Sequence, residues 1–77
     1  MRDVEITREP IELFKLLKFE GISASGGVAK HMIADGQVKV NGTVETRKRR
    51  KIVNGDVVKC GNETLKIQLV DKPTAST

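Results

Sequence analysis

Apolar and polar residues alternate along "DVEIT", with Val4 and Ile6 on one side, which predicts a short edge strand before the break at Pro10. From Ile11 the period lengthens. Leu13, Leu16 and Leu17, supported by Ile11, Phe14 and Phe19, recur at helical spacing. Pro10 suits the first helical position, where its missing N–H would be unpaired anyway, and Gly21 supplies a left-handed stop. A helix is therefore predicted over roughly residues 10–20. A second, of about ten residues, is predicted in "SASGGVAKHMIADG", capped by Ser25 at its start and Gly36 at its end. Val28, Ala29, Met32 and Ile33 give it a narrow apolar stripe, from which Lys30 and His31 point away.

Beyond Gly36 the period falls to about two. "QVKVNGTVET" alternates around Val38 and Val40, and Asn41-Gly42 is the strongest two-residue hairpin signal. A further turn is predicted at Asn54-Gly55, a strand through Val57 and Val58, a turn at Gly61-Asn62, and a last strand through Leu65, Ile67 and Leu69. Two short helices followed by a small sheet make an α+β domain over residues 1–70. The segment 71–77, "DKPTAST", has no large apolar residue and is expected to be a frayed tail.

Charge changes the picture at one place. The chain of 77 residues has 14 Lys and Arg against 10 Asp and Glu, and Arg47, Lys48, Arg49, Arg50 and Lys51 are consecutive. Without that run, nine cations face ten anions, so the excess is local. Adjacent like charges repel, which makes the run unfavourable unless a polyanion or counter-charge offsets it. A chain this short buries only about 60% of its unfolded surface, too little for a cleft with its own supporting shell. The single cysteine, Cys60, excludes an intramolecular disulfide and fits a reducing cytoplasm. Neither a leader nor a run of ~20 apolar residues is evident, so a soluble, unprocessed protein away from membranes is expected.

The stretch from Glu12 through the second helix into "GQVKVNGTVET" and on to "KIVNGDVV" resembles the RNA-binding domain first known from ribosomal protein S-four, the αL motif. Within that family it is most similar to short stand-alone bacterial proteins of the YbcJ type. The resemblance covers roughly residues 11–69. It implies two short helices packed on a small, largely antiparallel sheet, with RNA docking where the second helix meets the following strand turn. Matched by position, it implies roles for Ser25, Lys30, Lys39 and Asn41. Many members carry arginine at the start of each helix where this chain has Glu12 and Gly26, and the 47–51 cluster is where compensation is expected.

In an extended segment Arg47, Arg49 and Lys51 would share one side and Lys48 and Arg50 the other, either set able to align with phosphates. Lys39 must point opposite to Val38 and Val40. The amides of "SGGVAK" could cradle a phosphate, although an ordinary helix cap explains them better. Asn41 is chiefly suited to a positive φ in its turn. Enzymatic readings fare poorly: His31 and Cys60 fall on different elements, and no nucleophilic triad, zinc or P-loop spacing occurs. No cofactor or small-molecule substrate is expected. With neither Trp nor Tyr, and with Phe14 and Phe19 assigned to helix packing, there is no stacking platform for single-stranded bases.

These observations lead to a monomeric, non-enzymatic module docking structured RNA, ribosomal RNA included, through Lys30, Lys39 and residues 47–51. The rival from another class is an adaptor whose basic edge binds an acidic protein. Its sign would be an apolar patch at Phe19 and Ile22 left uncovered. Duplex DNA ranks third, because the second helix begins with small residues in place of base-reading Arg, Asn or Gln.

Overall fold

The computed structural model describes residues 2–70; the tail expected over 71–77 lies outside them. The elements in chain order are β1 (Arg2–Ile6), β2 (Ile11–Glu12), α1 (Leu13–Phe19), α2 (Gly26–Ala34), β3 (Val38–Val40), β4 (Thr43–Val44), β5 (Lys51–Ile52), β6 (Val57–Cys60) and β7 (Glu63–Leu69). Five strands form one sheet in the order β1-β7-β6-β3-β4, and β2 pairs with β5 in a separate antiparallel ribbon. Every neighbouring pair in the main sheet is antiparallel except β1 with β7. The α+β class and the largely antiparallel sheet are as expected.

Alternation along the strands decides which face is covered. Val38 and Val40 of β3, Val58 of β6, and Leu65 and Ile67 of β7 are buried. They meet Leu13, Leu16 and Leu17 of α1 and Ala29 and Ile33 of α2 in a single core. Helices of seven and nine residues are too short to persist alone in water. Burial of these aliphatic side chains, each contributing roughly 1.5–3 kcal/mol, holds them in place. The other face of the sheet is open to solvent and carries Lys39, Lys59 and Lys66.

The Asn41-Gly42 turn has the predicted left-handed pair, with φ of 53° and 85°, and the twist of such a turn matches that of the β3–β4 strands it joins. Ser25 caps α2 by accepting the Val28 N–H at 3.2 Å.

Three expectations are corrected. Pro10 does not open α1. Residues 11 and 12 are drawn into β2 by pairing with Ile52 and Lys51, so the helix begins at Leu13 after an extended Glu12. Phe19, expected to pack, is 69% exposed, and Val28 is also exposed. At about 100° per residue, each lies roughly 100° round its helix from the centre of the buried face. Neither helix is wide enough in contact to cover a residue so displaced. Residues 47–50 are not an extended segment, for a reason that lies in the site itself.

Candidate nucleic-acid interface

The basic run leaves the sheet at Val44 and rejoins the ribbon at Lys51. Between them residues 47–50 close a turn, with the Arg50 N–H donating to the Arg47 carbonyl at 3.1 Å. The turn is seated on the start of α1. Its carbonyls at Arg50 and Lys48 accept the N–H groups of Leu13 and Phe14 at 2.9 and 3.1 Å. Helix α1 has no side-chain cap, and its first donors would otherwise be unpaired, so the basic turn supplies the cap through its main chain.

Glu45, which the cation run itself does not single out, organises the turn. It is only 7% exposed, and its own N–H bonds the Val38 carbonyl at 2.9 Å, which extends the β3–β4 pairing by one residue. Its Oε2 accepts both the main-chain N–H and the Nε of Arg47, at 3.0 and 2.9 Å. Its Oε1 accepts Arg47 Nη2 at 3.2 Å and Arg50 Nη1 at 2.8 Å. One carboxylate thus grips two of the five cations, which draws them to one side and prevents the alternation of an extended segment.

The Arg47 guanidinium bonded to it is the largest influence on the Glu45 carboxyl. With the Arg47 amide and Arg50 it outweighs burial and takes the pKa from 4.5 down to about 2. The same partnership raises the Arg47 pKa. Lys48, Arg49 and Lys51 are exposed, and among the described residues no carboxylate lies within ion-pair distance of them. Together with Thr46, Arg47, Arg50 and Ala34 at the end of α2, they line a shallow open groove of about 840 Å³.

The remaining candidates divide into two groups. Lys30 lies over the Phe14 ring, its Nζ 4.8 Å from the centroid, and the amide of that same Phe14 is held by Lys48. Lys30 and the basic turn thus both meet Phe14, the one at its ring and the other at its main-chain N–H, although Lys30 does not line the groove of the turn. Lys39 leaves the sheet on the face away from the helices and sits opposite Lys59 in the strand register, a like-charged pair that the fold leaves to solvent. Lys59 was not anticipated, although its place in a strand alternating about Val58 and Cys60 puts it on the same outer face. Ser25 and Asn41 have internal duties. Ser25 caps α2, whereas Asn41 donates to Asp56 at 3.1 Å and accepts the Val57 N–H at 2.9 Å, tying the β3–β4 turn to β6. Cys60 is buried at the end of β6, and burial pushes its thiol pKa up. His31 is exposed.

The family model described as the S4 domain matches residues 4–68 of this chain. The chain belongs to the S4 domain family. Within that family, "Putative RNA-binding protein YbcJ" of Escherichia coli (strain K12) is 54% identical over 57 residues, spanning 74% of this chain and 81% of the relative. "Probable ribosome maturation protein RlbA" of Bacillus subtilis (strain 168) is 38% identical over 55 residues, spanning 71% and 78% respectively. The solution structure of YbcJ from E. coli, described as revealing an αL motif involved in RNA binding, matches with a TM-score of 0.69 at 48% identity. It covers 88% of this chain and 87% of that one. The S4 fold and the αL arrangement are thus common to this chain and its solved relative.

Proposed function

We propose that this S4 domain is a non-enzymatic, monomeric RNA-binding module of the cytoplasm that docks structured RNA on the flank of α1 carrying the basic turn. The observation that carries the reading is the turn itself: adjacent cations held against a helix start, with Lys48, Arg49 and Lys51 facing solvent and Lys30 over the ring of the Phe14 that the turn caps. Phosphates are the natural ligand of such an array, Arg as a fork and Lys as a point charge. Arg47 and Arg50 contribute field and the remainder of their donors. Lys39 approaches the same β3–β4 edge from the other face of the sheet, where with Lys59 it extends the positive surface. Ser25 and Asn41 serve the fold that positions these groups. The names of the two relatives support RNA as the partner, and the maturation role named for the B. subtilis relative favours ribosomal RNA. No helix among the described residues is long and apolar enough to cross a membrane.

The adaptor reading has on its side the exposed Phe19, which lines an apolar groove with Val4, Ile6, Ile11 and Leu16, but Ile22 packs against the core and the 47–51 run lines a different groove. The deciding experiment is a salt titration of binding to an RNA hairpin, single-stranded RNA and duplex DNA of matched length. If Lys30, Lys48, Arg49 and Lys51 neutralise phosphates, log K should fall against log salt with a slope of roughly −3.5. Replacing Lys48, Arg49 and Lys51 together with alanine should flatten that slope by about 2.5 and weaken binding of all RNA sequences alike. Equal affinity for the three ligands, or no binding at moderate salt, would reject the proposal and return Phe19 and an acidic protein partner to the foreground.

A further inference from the structure

An anion bonded to two of five adjacent cations should, by Coulomb's law alone, weaken the hold on a polyanion. The geometry around Glu45 points to a different account. Its carboxylate accepts four hydrogen bonds from two arginines five and two residues away. It is buried under the turn it organises and anchored to β3 through its own N–H. The two arginines fix both ends of the 47–50 turn. What lies between and after them, Lys48, Arg49 and Lys51, faces outward in an order set by the turn and by the two carbonyls seated on α1.

We propose that Glu45 is a positioning residue for RNA recognition: by gripping Arg47 and Arg50 it sets the spacing at which Lys48, Arg49 and Lys51 are presented, and so selects structured RNA over flexible polyanions. This rests on the reading that the basic turn binds RNA. A fixed array gains most from a ligand whose phosphates are themselves held at fixed spacing, because neither partner then loses much freedom on binding. A single strand can adapt to a loosened array, so it should not distinguish the two states of the turn.

The sign of the effect makes the test sharp. Glu45→Gln removes a negative charge from a basic surface, and simple electrostatics predicts tighter binding of every polyanion. Positioning predicts instead that the hairpin is bound roughly tenfold more weakly, the equivalent of one charge-assisted hydrogen bond, while single-stranded RNA is bound as well as before or better. The ratio of hairpin to single-strand affinity is thus the readout, with Glu5→Gln, at an exposed position of β1 on the opposite edge of the sheet from β4, as the control for a bare change of charge. Arg47→Lys is the second variant, for use if Glu45→Gln fails to fold by circular dichroism. It keeps the charge but cannot form the fork to both carboxylate oxygens, so it should lower the same ratio at an unchanged salt slope. An unchanged or increased ratio in the variant that folds would overturn the proposal while leaving RNA binding intact. Failure of the unmodified protein to bind the hairpin would overturn both.

Discussion

Acid should undo part of this domain's stability through a single residue. Glu45 titrates near 4.5 when unfolded and at about 2 in the folded domain. A carboxyl whose pKa is depressed by folding stabilises the fold above its unfolded value, and the contribution fades as pH falls through that value towards the folded one. The window here runs from about pH 4.5 down to about pH 2. The difference between the two values corresponds to a ceiling of about 3 kcal/mol. The main partner lowers that figure: the Arg47 side chain is 73% exposed, and solvent screening of such a pair leaves about 1–2 kcal/mol. The chain has no Trp or Tyr, so urea unfolding is best followed by far-ultraviolet circular dichroism. At neutral pH the unmodified domain should exceed Glu45→Gln by about 1–2 kcal/mol, and the gap should close as pH falls through the window. A gap that stays constant from neutral to about pH 2.5 would refute the reasoning, because it would trace the loss to the shape of the side chain and not to its charge.

Two further outcomes test the scaffold. Leu17→Ala, at a fully buried position of α1, should lower the unfolding free energy by about 2–5 kcal/mol and so melt the domain well below the parent in a thermal scan. Ser25→Ala removes the acceptor for the Val28 N–H and should reduce stability by about 1 kcal/mol in the same assay. Its effect on hairpin binding should be no larger than that loss implies.

What the sequence displayed well was periodicity and punctuation. The leucines of α1, the valines of β3 and the Asn41-Gly42 turn each combine a local preference with a burial pattern that agrees with it. The misplaced start of α1 shows where this fails. Pro10 and Ile11 satisfy helical rules locally, but the partner that overrides them is the 51–52 segment some forty residues away, and no window of neighbouring residues contains it. Phe19 and Val28 fail for a related reason. Helical spacing tells which residues share a stripe, whereas the width of the stripe that is covered depends on what packs against it.

The site was legible as charge and not as shape. Five consecutive cations announce an anion partner, yet their conformation depends on the one acid that precedes them. Glu45 sits two residues before Arg47 and five before Arg50, and an acid so close to a cation run was the available signal. Its burial could not be read from the alternation of "GTVET", which ends where the strand ends.

The basic turn is attached to α1 by the carbonyls of Lys48 and Arg50, groups that every amino acid possesses. Among the described residues, the side chains of Lys48 and Arg49 form no ion pair and are exposed. Selection, or a designer, can rewrite those two positions at little cost to folding, since surface substitutions away from caps and cores usually change stability by no more than about 0.5 kcal/mol. The turn thereby separates the main-chain groups that hold α1 from two side chains whose identity the fold does not dictate.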